Sequence, residues 1–512
     1  MAQRAVRSHR FALSALLGLL LLALLAGVGL ASSPARAGER GAGHAPTQAP
    51  KRMPKQVSKQ ASTSTLWDSR TPLVDGRGVA APGLRGARNK DGVAQVRFGP
   101  FGDAVVAEKG GRIVWFGSTW ARSGTVLTDP DGRDLSADTL VVGDDGLSSV
   151  ALDPGWPFRP YVYAFYLSNT RLDGRLDGSG RWTTAECPPD GRCIADAKIV
   201  RLTVATRFAG GRFVKYVSGR TTLVDSGWCQ AVRTHGIGDL LFGPDGALYA
   251  SAGDGTPEGL TWDDSAQRRA CAAQVPAKYA SRMAPLDARD PTVHPSLNGK
   301  IIRIDPATGE GAQGNPWQAS DDPNRRRIIG LGFRNPFRMA FQPGTGVLAI
   351  SAIGQRKVEA VYEVAEPLAG PAAVNSGWPC WEVGERFQDG PLCAGLSLEA
   401  GTLLRPSIQW WHGQPLTAAE PCPAGKGSSA MGVAYAPDSR WLPARYRGDL
   451  FFGDFARGCV WTRSPGGAPR FLAQVPAHTM RSITAGPFGG MYFVDYQQGA
   501  VRRFKLWPGA RR

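Results

Sequence analysis

Short apolar runs broken by glycine and proline recur along this chain, and the clearest of them sits near its middle. Leu240-Leu241-Phe242 is followed by Gly243-Pro244-Asp245-Gly246 and then by Ala247-Leu248-Tyr249-Ala250. The two runs read as strands, and the Pro-Asp-Gly between them as a tight turn whose glycine takes up the positive φ. The unit recurs at Phe98-Gly99-Pro100-Phe101-Gly102-Asp103, Leu152-Asp153-Pro154-Gly155, Phe341-Gln342-Pro343-Gly344-Thr345-Gly346, Tyr435-Ala436-Pro437-Asp438 and Ala485-Gly486-Pro487-Phe488-Gly489-Gly490, each leading into a further apolar run. The copies are spaced by roughly fifty to a hundred residues, as expected when a compact sheet repeats while its loops vary. Six such units predict an all-β chain folded as a six-bladed β-propeller, with a β-sandwich or two unrelated β domains as the alternative. Radial closure would bring residues from distant copies around one central channel.

Just upstream of the central unit stands His235, within Arg233-Thr234-His235-Gly236-Ile237-Gly238-Asp239, one of six histidines in the chain. Imidazole is the side chain best suited to take a proton near neutral pH, and its small neighbours let another group come close. A histidine ahead of a strand also suits a purely structural role. Asp254, in Gly253-Asp254-Gly255-Thr256, reads as a turn cap more readily than as a calcium ligand. His412, after Trp410-Trp411, reads as surface packing more readily than as part of a sugar-stacking channel mouth.

The first residues add an address. Arg4, Arg7 and Arg10 precede the apolar run Phe11 to Ala31, and Ala35-Arg36-Ala37 is a small-residue cleavage site, so residues 1–37 read as a signal peptide. The run is long enough to span a bilayer if left uncut; once it is cleaved, no later stretch is apolar enough to hold the chain in a membrane. Residues 38–66 are rich in Gly, Ala, Pro, Gln, Ser, Thr and Lys and read as a flexible basic linker, leaving 67–512 for the propeller. The net charge of +17 includes leader and linker, so the body is less basic than the total. No aromatic-interleaved basic stripe argues for nucleic acid. With 42% apolar and 20% charged residues the chain can build a large core, and most of its 15 tryptophans should pack between blades or line a rim.

All eight cysteines follow the leader, and an even number in an exported chain argues for disulfides. There is no C-x-x-C pair, and the histidines are not spaced to complete a zinc site. Spacing alone does not fix the pairing. Cys187–Cys193 would close a short hairpin around Pro188-Pro189-Asp190-Gly191, and the other expected pairs are Cys229–Cys271, Cys380–Cys393 and Cys422–Cys459, each stapling a loop at a blade edge.

An ordered series of motifs then carries a resemblance. Gly146-Leu147-Ser148-Ser149-Val150-Ala151-Leu152-Asp153-Pro154, His235 with the turn unit after it, Asn298-Gly299-Lys300-Ile301-Ile302-Arg303-Ile304-Asp305-Pro306, Gly332-Phe333-Arg334-Asn335-Pro336-Phe337-Arg338, Asn375-Ser376-Gly377-Trp378-Pro379 and Gly453-Asp454 with Arg457-Gly458 occur in that order. Over about residues 90 to 505 the series resembles the glucose/sorbosone dehydrogenase family, soluble sugar dehydrogenases that use pyrroloquinoline quinone (PQQ). The cysteine-rich version with Trp378-Pro379-Cys380 resembles a secreted bacterial branch. The resemblance implies a six-bladed propeller, in agreement with the turn count. It also implies oxidation of an aldose at C1, with hydride moving to C5 of the quinone.

In that reading His235 removes the hydroxyl proton, and Arg334, with Asn335 beside it, stabilises the reduced quinone. A calcium ion held partly by the backbone carbonyls of Gly354 and Gln355 polarises the cofactor. Glu359 falls at an acidic pocket position, Arg457 at one that binds cofactor carboxylates, and Asp144, with Asp145, where the family has a pocket glutamine. The implied partners are a small sugar and an external electron acceptor, in a secreted or periplasmic setting. Other positions depart from the family pattern. Thr234 stands where an aspartate would orient the base, Ala436 replaces a cofactor-contacting lysine, Ile353 a pocket glutamine, and Ala360 a carboxylate of a second calcium site. These losses keep a second function open: a catalytically inactive extracellular propeller that binds a glycan or protein partner through its channel face.

Overall fold

Each of the six turns joins the first and second strands of one sheet. The first, inner strands are Val93–Phe98, Leu147–Leu152, Ile237–Phe242, Pro336–Phe341, Ala430–Tyr435 and Met480–Ala485. The residue after each strand end donates its N–H across the turn: Gly99 to Asp103, Asp153 to Tyr161, Gly243 to Ala247, Gln342 to Val347, Ala436 to Asp449 and Gly486 to Gly490, at 2.7–3.1 Å. The chain is a six-bladed β-propeller, seen here in a computed structural model that describes residues 92–117, 124–171, 194–231, 235–255, 283–365, 372–425 and 427–506. The leader, the linker, Thr234, Cys187, Cys193 and Cys271 lie outside the described residues.

Blade 1 (from Val93), blade 4 (from Pro336) and blade 5 (from Ala430) have four strands each. Blade 6 has three among the described residues, and blades 2 and 3 have five. The inner strands contact one another in cyclic order, with that of blade 6 touching that of blade 1, so the ring closes.

Alternation along the strands explains the closure, because successive side chains point to opposite faces and each face meets a neighbouring blade. Val105 and Ala107 pack with Leu147, Val150 and Val162 of blade 2, whereas Ala104 and Val106 pack with Tyr492 and Val494 of blade 6. Ala349 packs against blade 5 and its neighbours Leu348 and Ile350 against blade 3. A separate apolar cluster fills each of the six interfaces between blades. Trp228, Trp410 and Trp461 are fully buried in these layers, as expected of most tryptophans.

Every inner strand slips register against its second strand at the same place, between Val93 and Gln95, Leu147 and Ser149, Ile237 and Leu240, Pro336 and Arg338, Ala430 and Val433, and Met480 and Ile483. Such bulges re-aim a side chain. In four blades the re-aimed groups meet in a polar clamp. Asp239 accepts from Gln95 Nε2 at 2.6 Å, Arg97 Nη2 at 2.7 Å, Ser149 Oγ at 2.8 Å and the Met339 N–H at 3.0 Å. Arg338 donates to the carbonyls of Gly238 at 2.9 Å and Ala94 at 3.1 Å. Buried polar and charged groups paired across blades therefore tie the inner strands together.

Two of the expected disulfides are present, Cys380–Cys393 and Cys422–Cys459. Cys229 is disulfide-bonded to a partner outside the described residues. Among the described residues no helix is long and apolar enough to cross a membrane, and the disulfides are consistent with an extracytoplasmic location.

Candidate functional site

Above the clamp, at the end where four inner strands begin, lies a cavity of about 60 Å³. Asp145 precedes the blade 2 strand by two residues, and His235 the blade 3 strand by two. Asn335 precedes the blade 4 strand by one, and Ser429 the blade 5 strand by one. Ile237, Phe337, Ile353 and Met431 form its apolar walls, and Asp144 stands exposed beside it.

His235 holds a left-handed backbone, φ 59°, which a non-glycine residue adopts only when its surroundings enforce it. The enforcement is visible: Gly253 donates to the Gly236 carbonyl at 2.6 Å and Gly255 to the His235 carbonyl at 3.0 Å. A Cβ on Gly253 would sit 2.3 Å from the His235 oxygen. The fixed backbone brings His235 Nδ1 to 3.1 Å from Asp254 Oδ1, with both residues buried. Asp254 Oδ2 accepts from Trp378 Nε1 at 2.8 Å, and the Asp254 N–H donates to the Arg334 carbonyl at 2.7 Å.

Two expectations are thereby corrected. His235 does have a carboxylate on its ring, supplied by Asp254 from just past the end of the paired strand rather than by the residue before the histidine. Asp254 is accordingly more than a turn cap, since a carboxylate on Nδ1 fixes ring orientation and favours the tautomer whose other nitrogen can accept a proton.

Of the neighbours Asp144 and Asp145, Asp145 is the buried one, 2% exposed. Its carboxylate lies so close to Gly236 that a Cβ there would fall 1.7 Å from Oδ1, which explains the small residue beside His235. Burial, reinforced by Asp144 and opposed by Lys109, Arg481 and the Ile237 N–H, pushes its carboxyl up to about 7.

The other anticipated residues do not converge on this cavity. Arg334 borders a separate small cavity with Gly354, Trp378 and Glu382. Its Nε donates to Gln355 Oε1 at 2.6 Å, and its Nη1 to the carbonyls of Ile353, at 3.3 Å, and Gly354. Arg457 pairs with Glu420 and donates to the Pro423 carbonyl at 3.1 Å. Glu359 is fully buried, accepts from the Ala430 N–H at 2.7 Å and pairs with His412 Nε2 at 2.7 Å. Burial pushes Glu359 up, and the hydrogen bond to Glu359 pushes His412 up, so the His412 ring is tied to Glu359. Among the described residues no group of three or more His, Cys, Asp or Glu is placed to hold a metal ion.

With this geometry in view, the comparisons with known proteins are informative. Residues 277–501 match the glucose/sorbosone dehydrogenase family model. The match supports an oxidoreductase acting on a sugar, and it takes in Arg334, Asn335 and Glu359 but not His235. Among solved structures, a PQQ-bound aldose sugar dehydrogenase from Streptomyces coelicolor is similar at 18% identity, covering 83% of this chain and 95% of its own, with a TM-score of 0.52. A glucose dehydrogenase is similar at 17% identity, covering 82% of this chain and 97% of its own, with a TM-score of 0.54. Likeness at this level shows the shared propeller. No curated protein matches the chain.

The described residues do not fit PQQ as the glucose/sorbosone dehydrogenase resemblance would have it. A cofactor with carboxylates needs cations, but the described lining holds Asp144 and Asp145 and neither lysine nor arginine. Arg457 is committed to Glu420. The Gly354 carbonyl offered to calcium accepts a guanidinium N–H.

Proposed function

We propose that this protein is an exported oxidoreductase acting on a CH–OH group of a sugar, with His235 as the base. The observation that carries the reading is the buried His235–Asp254 pair bordering the hub cavity. Asp254 holds Nδ1, so the opposite ring nitrogen takes the hydroxyl proton, and the resulting imidazolium is stabilised by the carboxylate next to it. Asn335 and Asp145 bind and orient the sugar hydroxyls, and the apolar walls exclude water from the reacting carbon. The hydride leaves to an oxidant that the described residues do not themselves provide. The test offers purified protein a panel of aldoses with a reducible dye, in parallel with and without PQQ and calcium. Sugar-dependent reduction in either arm supports the reading; silence in both arms refutes it.

A second reading, an inactive propeller that binds a glycan or protein through this face, is favoured by one observation. The cations expected to hold the cofactor are spent on protein contacts. Sugar binding without turnover in the same assay would select it.

A further inference from the structure

Two residues that border the hub cavity each carry a buried side-chain acceptor without a hydrogen-bond partner among the described residues, Asp145 Oδ2 and Asn335 Oδ1. Both residues are more than nine-tenths buried, at 2% and 6% exposure. A buried acceptor left unpaired costs about 1–3 kcal/mol, and more if charged, so each is a place where a ligand's donor gains. The two residues come from different blades and line the same cavity, with Asp144 adding a further negative charge at the edge. Lys109 and Arg481 do not border that space. Lys109 Nζ donates to the Gly143 carbonyl, and Arg481 Nη2 to the Asp144 carbonyl at 3.0 Å. The cavity is thus rich in acceptors, negative, and walled by Ile237, Phe337, Ile353 and Met431.

We infer that the hub cavity selects a polyhydroxylated amine, of amino-sugar chemistry, over neutral and anionic sugars, with Asp145 meeting the ammonium and Asn335 accepting from a hydroxyl. This rests on the reading that the cavity takes a sugar, and it concerns binding, so it is measured apart from turnover. The described cavity lining offers Asp145 no cation, so an ammonium there would pair with it directly, and a charge-assisted hydrogen bond is roughly twice as strong as a neutral one. A carboxylate in the same place would face Asp144 and Asp145 with no cation in the described lining to pair with it.

Asp145 titrates near 7, so amine binding must displace a proton at lower pH, and affinity falls as pH drops through that range. The groups facing Asp145 are Asp144, His235, Lys109 and Arg481.

The test titrates the full-length protein calorimetrically with glucosamine, glucose and glucuronate, one hexose frame in three charge states, without cofactor or metal. The expected order at pH 7 is glucosamine tightest, by about tenfold over glucose, with glucuronate weakest. Asp145→Asn should bring glucosamine to within about twofold of glucose and remove the loss of affinity between pH 7 and 6. Asp144→Asn, at an exposed position that the fold does not depend on, should narrow the preference by a smaller factor. Glucuronate binding as tightly as glucosamine, undetectable glucosamine binding, or a preference that survives Asp145→Asn in a protein with wild-type circular dichroism would each overturn the inference. Dye reduction plays no part in this outcome, so a failed oxidase assay and a failed charge series are told apart.

Discussion

Replacing Asp239 by Asn tests the hub clamp on which the placement of the cavity depends. Asp239 is 1% exposed and joins four blades: Gln95 and Arg97 of blade 1, Ser149 of blade 2, its own strand in blade 3 and the Met339 N–H of blade 4. Burial alone would raise its carboxyl, but Arg97 and Arg338 outweigh it and hold the group below the usual carboxylate range. Burial in turn pulls the fully buried Arg338 guanidinium down to about 9, with Asp239 opposing the shift. Breaking a buried pair by neutralising one partner leaves the other charge stranded and costs about 3–5 kcal/mol. With an unfolding entropy of about 2.1 cal/mol/K per residue over about 400 residues, that is a drop of about 4–6 °C in Tm. The assay is thermal unfolding followed by circular dichroism and calorimetry. Asp239→Asn with Arg97→Met should lose less than Asp239→Asn alone, because the double variant no longer strands the guanidinium that Asp239 pairs at 2.7 Å. A shift under about 1 °C, or a double variant worse than the sum of the singles, would refute the clamp. The depressed carboxyl also fixes the pH dependence: its stabilisation is present above the unfolded value near 4 and lost as pH falls through the folded value.

Three further outcomes follow from the same geometry. Asp254→Asn should lower the turnover of any sugar the protein oxidises by about 10- to 100-fold, the loss of one charge-assisted hydrogen bond to His235, with KM little changed. A raised KM at constant kcat would instead make Asp254 a binding residue. Asp145 has its carboxyl raised to about 7, so the folded state holds that proton more tightly than the unfolded chain. Its stabilising effect is full below about pH 4 and lost as pH rises through 7; Tm measured at pH 5 and pH 8 should show Asp145→Asn gaining on wild type at the higher pH. Cys380–Cys393 and Cys422–Cys459 close loops of separation 13 and 37, so replacing each pair by serine should cost about 3 and about 4 kcal/mol in urea unfolding.

The blade plan was legible because every turn that sets it is local. Gly243-Pro244-Asp245-Gly246 closes its hairpin whatever surrounds it, and strand alternation then decides which blade each side chain meets. The His235–Asp254 pair was nearly legible. The hairpin pairs Phe242 with Leu248 and Leu240 with Ala250, and that register carried back would set His235 opposite Gly255. The slip between Ile237 and Leu240, which leaves Ile237 paired with Ala252, moves the partner by one residue to Asp254. A bulge of that kind leaves no mark in composition. The clamp was not legible at all, since Gln95, Ser149, Asp239 and Arg338 lie in different blades and only ring closure makes them neighbours. Arg334 and Arg457 stand in motifs visible in the sequence, but their partners, a pair of carbonyls and Glu420, come from loops whose paths only the fold reveals.

The most direct measurement compares wild type with His235→Gln in sugar-dependent dye reduction, with sugar affinity measured on the same preparations. The account predicts that turnover falls by about 10²–10⁴-fold while affinity changes by less than about threefold, as expected when a base is removed and the binding groups stay. A His235→Gln protein that oxidises sugar at the wild-type rate would contradict it.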